Sequence, residues 1–355
     1  MTKIVYQSRL DGLRFLAIIL VLIEHFAHHI GKVFSAGFYG VNLFFVISGF
    51  LITSILLKEE NNDAKRIYLN FLARRSLRIF PIYYLTILLL YLVSAPDIKE
   101  RLPFLLTYTY NYHLIKIDSW SDIFVHFWSL CVEEQFYLFF PILAIFSRNS
   151  PNYFIITCAI LCLLAIAQIF FNILTPEKYN YVSLLSNMWP LCMGAIGAIL
   201  LKKKILLNRV LDSRFFELIV IVFIVLVLVF LPWKYKQLFL PVLSLYLVFK
   251  AYSSYFKFKL FDAFLVNKNV VYIGRMSYGI YIYHLIIGYY FTLYVFDPIW
   301  LQIPFEKMGF FSKIKFNSWI LKLPLYSILS IFAAYLSFRY LETPFLKLKD
   351  KYFSY

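Results

Sequence analysis

Long apolar runs separated by short polar segments repeat along the whole chain. Each run is about twenty residues long, enough to cross a hydrocarbon core of about 30 Å as a helix. The runs lie at about 10 to 30, 37 to 57, 79 to 95, 123 to 146, 153 to 173, 183 to 201, 215 to 232, 236 to 253, 272 to 296 and 320 to 341. They lack the ten-residue alternation of an outer-membrane barrel. The pattern predicts an all-α, polytopic membrane helix bundle with about ten transmembrane helices.

Composition supports a membrane protein with one domain. Hydrophobic residues make up 62% of the 355 residues, charged residues 15%, and the mean hydropathy is +0.73, outside the range of soluble globular chains. Because no repeat or long linker interrupts the runs, we expect a single transmembrane domain over 1–355 with no appended soluble domain. The first run carries Arg14 and Glu24 and leads into no small-residue cleavage site, so we expect a retained helix.

The distribution of basic residues predicts the orientation. An even number of crossings places both termini on one side, and the segments on that side hold 24 of the 35 Lys and Arg residues. By the positive-inside rule, we expect both termini in the cytoplasm. The net charge of +16 would then face anionic lipid headgroups and anionic soluble metabolites. Nucleic acid is not expected as a partner, because no basic soluble module remains.

Arg14 and His25 lie eleven residues apart in the first run. In a helix this separation returns to within about 20° of the starting direction and advances about 16 Å. Both side chains would therefore line one stripe, Arg14 near the start of the helix and His25 past its middle. A charged group inside a spanning helix turns toward a protein interior or a wet cavity. We expect this stripe to line a reaction path.

Two polar groups follow in the next segments. In the second run, Asn42, Ser48 and Gly49 could bond to or pack against neighbouring helices, and packing is the favoured interpretation. The cluster Arg74, Arg75 and Arg78 precedes Pro81 at the expected entrance of the third helix. Such a cluster sets orientation, and guanidinium groups also bind phosphates in bidentate fashion, so we weigh an orientation signal and a phosphate site equally.

The fourth run, HFWSLCVEEQFYLFFP, carries paired carboxylates. His126, Ser129 and Glu133 follow the i, i+3, i+7 spacing of one helix face, and Glu134 points about 100° further round. Two adjacent carboxylates at mid-membrane depth are hard to explain by packing. We expect at least one of them to pair with an arginine or histidine, or to act as an acid or base.

The ninth run, IGRMSYGIYIYHLII, carries a polar stripe. Ser277, Tyr281 and His284 lie at i, i+4 and i+7, with Arg275 at the cytoplasmic end. His284 is either a satisfied buried histidine or a lining residue, and we favour the lining role. His25, His28 and His29 also have a spacing compatible with a metal. No cysteine or carboxylate completes a ligand shell there, so we expect no metal.

These segments together resemble the acyltransferase-3 family of bacterial integral-membrane acyltransferases, which O-acetylate polysaccharides such as lipopolysaccharide O-antigen. The resemblance extends from RLDGLR near the start to YLETPF near the end. Its markers occur in the family's order: the Arg14 and His25 pair, FFVISGFLIT, the arginine cluster before FPIYYL, WSLCVEEQFYLFFP, and SYGIYIYH. One marker alone is weak, but the ordered set is specific.

The resemblance implies roles for individual residues. Arg14 and His25 match the family's essential pair, and Arg75 and Arg78 match arginines thought to bind the acyl donor. The WSL-x-x-E element implies Ser129 and Glu133, with Glu134 as an alternative carboxylate. Some members append an esterase-like domain, and its expected absence here favours direct acetylation of a membrane-bound or lumen-exposed acceptor.

We therefore expect a multi-pass O-acyltransferase of the bacterial inner membrane. Acetyl-CoA would be the donor, with its anionic end held by the arginines, and a glycan or glycolipid the acceptor. His25 would act as the general base, with Glu133, Glu134 or His284 as orienting or relay groups, while Ser129 and Tyr281 would bind substrate. The sequence does not decide whether the acyl group is first bound covalently to the protein.

The alternative functions are acylation of a non-glycan acceptor, such as a macrolide or a lipid, and transport or flipping of lipid-linked sugars. A transporter needs no phosphate site leading to a mid-membrane histidine.

Overall fold

The computed structural model describes residues 7–28, 31, 34–57, 63–118, 120, 123–147, 150–202, 213–253, 255–303 and 318–353. Within these ranges the chain is almost wholly helical and contains no β-strand. The helices are α1 (Ser8–Phe26), α2 (Ala36–Leu56), α3 (Ala64–Leu92), α4 (Ile98–Leu106), α5 (Tyr110–Ile117), α6 (Phe127–Phe146), α7 (Pro151–Phe171), α8 (Leu184–Lys202), α9 (Arg214–Phe230), α10 (Trp233–Ser253), α11 (Lys259–Leu265), α12 (Lys268–Arg275), α13 (Ser277–Phe291) and α14 (Trp319–Ser337). Helical turns extend α13 to Trp300 and α14 to Tyr352.

The predicted helical membrane class is confirmed. A helix of 15 residues or more lies at each of the ten predicted runs. In the described ranges, seven helical segments are long and apolar enough to cross a membrane. The other three are α1, which carries four charged residues, α9, which has 17 residues, and α10, which carries three lysines. Ten crossings and cytoplasmic termini therefore stay predictions.

The arginine cluster lies inside a helix, contrary to the expectation that it would precede one. The Asp63 side chain accepts hydrogen bonds from the backbone N–H groups of Lys65 at 3.0 Å and Arg66 at 3.2 Å. This cap starts α3 about fifteen residues earlier than the apolar run suggests. Pro81 is an interior residue of α3. The guanidinium groups therefore project from a regular helix face.

Three further boundaries change where site residues lie. α1 ends at Phe26, so His25, predicted past the middle of the helix, lies in its last turn. α6 begins at Phe127, so His126 is its N-cap residue. The ninth run is divided at Met276, where α12 ends and α13 begins. Ser277 is therefore the first residue of α13.

Close helix packing fixes the frame around the site. A Cβ atom at Gly49 of α2 would lie 1.9 Å from the Leu191 carbonyl oxygen, and one at Gly194 of α8 would lie 2.2 Å from that of Val46. Only glycine permits this approach, which confirms the packing role expected of Gly49.

The start of α1 is anchored to α11. The Arg9 guanidinium donates to both carboxylate oxygens of Asp262, at 2.7 and 2.9 Å. This bidentate hydrogen-bonded pair holds the pKa of the Asp262 carboxyl below its usual range. The anchor fixes the rotation of α1 and thereby the direction of Arg14, five residues further on.

Candidate active site

Side chains from α1, α2, α3, α6 and α13 enclose a cavity of about 80 Å³, here named the arginine cavity. Its polar lining consists of Arg14, Ser48, Arg75, Arg78, Ser129, Glu133, Tyr137, Ser277, Tyr278 and Tyr281. The structure thus brings together six predicted site residues from four helices: Arg14, Arg75, Arg78, Ser129, Glu133 and Tyr281. Opposite charges meet in this small space, as expected of a site for a polar ligand.

Asp11 holds Arg14 in place. The Arg14 Nη1 atom donates to Asp11 Oδ1 at 2.9 Å, while Arg275 Nε lies 3.5 Å from Asp11 Oδ2. The Asp11 side chain is buried, so its carboxylate is bound between two guanidinium groups. Sequence reasoning missed Asp11, although the i, i+3 spacing in RLDGLR was a signal for this pair.

The three arginines of α3 have different surroundings. Arg74 pairs with Asp350 at 3.5 Å and donates to the Phe353 carbonyl oxygen, which ties it to the end of α14. The Arg75 guanidinium lies over the Tyr137 ring, 4.9 Å from its centroid. Among the residues that the structure describes, no carboxylate lies within 4 Å of Arg75 or Arg78. Their positive charges therefore favour an anionic ligand in the arginine cavity.

Glu133 is held in the arginine cavity by hydroxyl groups. Ser48 Oγ donates to Glu133 Oε1 at 2.8 Å, and the Tyr137 hydroxyl donates to Ser48 Oγ at 3.2 Å. Ser48, expected to pack between helices, does join α2 to α6, but it does so as part of the cavity lining. Asn42 instead donates to the Phe38 carbonyl oxygen of its own helix.

The structure separates the two adjacent carboxylates. Glu134 does not line the arginine cavity and lies within electrostatic range of Tyr84 and Tyr108. Its Oε1 atom is buried and accepts no hydrogen bond from the described residues. The difference follows from the 100° step between neighbouring helical residues. Of the two carboxylates, Glu133 is therefore the one that faces a cavity.

A larger cavity of about 590 Å³ lies beyond the arginine cavity and is here named the histidine cavity. Its polar and aromatic lining includes Glu24, His25, His28, Trp120, His126, Trp128, Lys178, Tyr181, Trp233 and Tyr281. A further cavity of about 530 Å³ adjoins it, and His25 lines both cavities. His25 is therefore accessible from two sides.

In the described ranges, no group of three His, Cys, Asp or Glu side chains could hold a metal ion, and His29 falls outside those ranges.

Tyr281 and Ser129 form the partition between the arginine and histidine cavities. Tyr281 and Val41 line both cavities. The Tyr281 hydroxyl lies 2.6 Å from Ser129 Oγ and donates to the His126 carbonyl oxygen at 2.9 Å. A ligand that reaches from one cavity into the other would pass these two hydroxyl groups.

His284 contacts His25 behind this partition. His284 is fully buried, with Nδ1 2.6 Å from the Tyr281 carbonyl oxygen and Nε2 3.1 Å from His25 Nδ1. Because a carbonyl oxygen only accepts, the neutral His284 ring carries its proton on Nδ1 and accepts through Nε2. His25 must then donate from Nδ1. This assignment leaves the lone pair of His25 on Nε2.

His126 is a third histidine in this cluster. Its ring centroid lies 4.9 Å from that of His284. The sequence placed it on one face with Ser129 and Glu133, but it lines the histidine cavity and they line the arginine cavity. The backbone of His126 is helical, so the shared face holds. The cavities differ because His126 precedes Glu133 by seven residues, about 10 Å along the helix axis.

Comparison with known proteins identifies the family of the chain. The acyltransferase-3 family model, described as an acyltransferase domain, matches residues 7–339. The chain belongs to this family. The match contains all nine predicted site residues, and the resemblance inferred from the sequence motifs is confirmed.

Relatives of the chain are named as O-acetyltransferases. The chain is similar to the O-acetyltransferase OatA of Staphylococcus aureus strain NCTC 8325 / PS 47, with 29% identity over 378 residues, which cover 99% of this chain and 59% of the relative. OatA of Staphylococcus aureus strain COL matches to the same extent. The chain thus spans about three fifths of the length of the curated relatives it matches. No solved structure matches this chain significantly.

Proposed function

We propose that this protein is an O-acyltransferase of the bacterial inner membrane that uses cytoplasmic acetyl-CoA. Its acceptor would be a hydroxyl group of a cell-surface polysaccharide or a glycolipid precursor. One observation carries the proposal: Arg14 and His25 lie toward opposite ends of α1 and line two cavities that share Tyr281. A donor bound in the first cavity can deliver its acyl group to an acceptor in the second.

The arginine cavity suits the anionic end of the donor. Arg75 and Arg78 have no carboxylate partner within 4 Å in the described ranges, and Arg14 is fixed by Asp11. Guanidinium groups bind phosphate oxygens in bidentate fashion. The distance from Arg14 to His25 along α1 is about 16 Å, which is comparable with the reach of a pantetheine arm. The thioester would then lie beside the Ser129 and Tyr281 partition.

The proposed reaction uses the lone pair on Nε2 of His25, because its Nδ1 atom carries the ring proton. His25 Nε2 takes the proton from the acceptor hydroxyl while that oxygen attacks the thioester carbonyl carbon. When the tetrahedral intermediate collapses, the carbon–sulfur bond breaks and the imidazolium returns the proton to the departing thiolate. The products are an acetyl ester and CoA. His284 orients His25 by accepting its Nδ1–H.

The remaining polar groups support this step. The Ser129 and Tyr281 hydroxyls lie at the partition, 2.6 Å apart, where they would contact the passing thioester. A hydrogen bond to the developing oxyanion would require one of them to turn from the His126 carbonyl oxygen. Glu133 faces the arginine cavity, where it accepts a hydrogen bond from Ser48 and offsets only part of the positive charge of the three arginines. We assign no step to Glu134, because it does not line either cavity.

The direct test uses the purified protein in proteoliposomes with acetyl-CoA and a glycan extract from the host envelope. We expect CoA thiol to be released in proportion to acetyl ester formed on the glycan. Mass spectrometry of that glycan from cells with and without the gene should show a shift of one acetyl unit. Absence of CoA release would contradict the proposal and favour a transporter. Release without any glycan shift would redirect the acceptor to a small molecule or lipid.

A further inference from the structure

We propose that Glu24 is an acceptor-binding residue of the histidine cavity. Its free carboxylate oxygen would accept a hydrogen bond from a hydroxyl or amino group of the acceptor, close to the hydroxyl that His25 deprotonates. The preferred acceptor then carries a hydrogen-bond donor near the acetylated position. This inference rests on the proposed O-acyl transfer and adds a binding contact to it.

Glu24 is held at the wall of the histidine cavity by the start of α2. The backbone N–H of Gly37 donates to Glu24 Oε2 at 3.2 Å, and both residues line the cavity. A Cβ atom at Gly37 would lie 2.8 Å from the Cβ and Cγ atoms of Glu24, so the glycine leaves room for this side chain. The carboxyl group is therefore fixed through one of its two oxygens.

The second carboxylate oxygen of Glu24 is open to a ligand. Glu24 is half-buried, and its Oε1 atom is not enclosed by protein, unlike Oε1 of Glu134. Among the described residues, no lysine or arginine lies within 4 Å of this carboxylate. Lys236 lies within electrostatic range but donates to Ser35 Oγ at 3.1 Å, so it balances part of the charge without occupying Oε1. Because a carboxylate only accepts hydrogen bonds, a ligand at Oε1 must bring a donor.

The position of Glu24 suits the acceptor and not the acyl donor. Glu24 lines the histidine cavity but not the arginine cavity, where the phosphates of the acyl donor would bind. A carboxylate repels those phosphates. Glu24 directly precedes His25, with Cα atoms about 3.8 Å apart, and both residues line the histidine cavity. An acceptor whose hydroxyl meets His25 can thus place a neighbouring group against Glu24.

Aromatic side chains in the same cavity suit the apolar faces of a sugar ring. Phe38, Tyr181 and Trp233 contribute to the lining. The ring centroid of Trp233 lies 4.5 Å from that of Phe38 and 5.7 Å from that of Tyr181. The Glu24 carboxylate lies within electrostatic range of Tyr181. Ligand sites combine such apolar walls with a few polar groups that fix orientation, and Glu24 is a group of this kind.

The test exchanges the free oxygen of Glu24 for a donor. In Glu24→Gln, the amide oxygen can keep the bond to Gly37, which places the amide nitrogen where Oε1 was. We expect the KM for the host envelope glycan to rise about tenfold, with kcat and the acetyl-CoA KM nearly unchanged. A purely structural role would change kcat or the acetyl-CoA KM as well. Glu177→Gln is the control, because Glu177 pairs with Lys234 at 3.2 Å and lines none of the three cavities.

Defined acceptors identify the group that Glu24 binds. The probes are methyl hexopyranosides and their counterparts in which one hydroxyl is replaced by hydrogen or by an ammonium group, which donates but cannot accept. At one ring position, wild-type protein should use the amino form about tenfold better than the deoxy form in kcat/KM. Glu24→Gln should lose this preference and Glu177→Gln should keep it. A parent glycoside that exceeds the amino form would identify a hydroxyl as the preferred donor, and the reverse order an amino group.

An unchanged glycan KM in Glu24→Gln, or an amino preference that this variant retains, would overturn the inference and leave the proposed function standing. If Glu24→Gln failed to insert, equal kcat/KM of wild-type protein for the amino and deoxy forms at every position would overturn the inference instead. Absence of CoA release from wild-type protein with the envelope glycan and with every glycoside would overturn the proposed function and this inference with it.

Discussion

His284 Nε2 lies 3.1 Å from His25 Nδ1, and this contact joins α13 to α1 beside the histidine cavity. The Tyr281 carbonyl oxygen fixes the proton of His284 on Nδ1, so His25 donates to His284 and keeps its lone pair on Nε2. His284 thereby selects the tautomer of His25 that can act as a base toward the cavity.

This relationship predicts different results for two substitutions of His284. His284→Gln keeps a carbonyl oxygen that can accept from His25 Nδ1, whereas His284→Phe keeps a ring but has no acceptor. We expect His284→Phe to lower kcat at least about tenfold, the equivalent of one buried hydrogen bond, with little change in the acetyl-CoA KM. His284→Gln should retain more activity. Equal kcat values in the two variants would contradict an orienting hydrogen bond.

The arginine cavity predicts a selective loss of donor affinity. Arg75→Lys and Arg78→Lys keep the positive charge and remove the planar guanidinium, so each should raise the acetyl-CoA KM by about tenfold. Arg74→Lys is the matched control, because Arg74 pairs with Asp350 at the end of α14. Steady-state kinetics over a range of acetyl-CoA concentrations would measure the effect. An unchanged KM in both variants would leave the cluster only an orientation role.

A cytoplasmic donor requires the arginine-rich side of the protein to face the cytoplasm. Single cysteines placed at Asn62 and Lys204 should be protected from an impermeant thiol reagent in intact cells. A cysteine at Lys116, an exposed residue of α5, should react. The four native cysteines are buried, which limits background labelling. The reverse labelling pattern would remove the basis for a cytoplasmic donor.

The sequence predicted those parts of the structure that depend on local periodicity. Apolar run length located the long helices, and helical spacing placed Ser277, Tyr281 and His284 on one buried stripe. The same rule separated Glu133 from Glu134. These predictions succeeded because hydrophobicity and the 3.6-residue repeat act within one helix.

Contacts between distant helices could not be predicted in this way. His25 and His284 are 259 positions apart, and nothing in either segment indicates that their rings meet. The arginine cluster was misplaced because the Asp63 cap extends α3 through a polar stretch that resembles a loop. His126 was placed on one helix face with Ser129 and Glu133, and the spacing could not show that it lines a different cavity further along that helix.

The central claim is that His25 moves the proton in an acyl transfer between the two cavities, and one measurement tests it most directly. Transfer of a labelled acetyl group from acetyl-CoA to the glycan acceptor should be compared in proteoliposomes containing wild-type protein or His25→Gln at equal insertion. The glutamine keeps hydrogen bonding but cannot accept a proton at neutral pH, so the account predicts a loss of about 10²- to 10⁴-fold with acetyl-CoA binding preserved. Transfer by His25→Gln at the wild-type rate would contradict the account and make His25 a structural histidine.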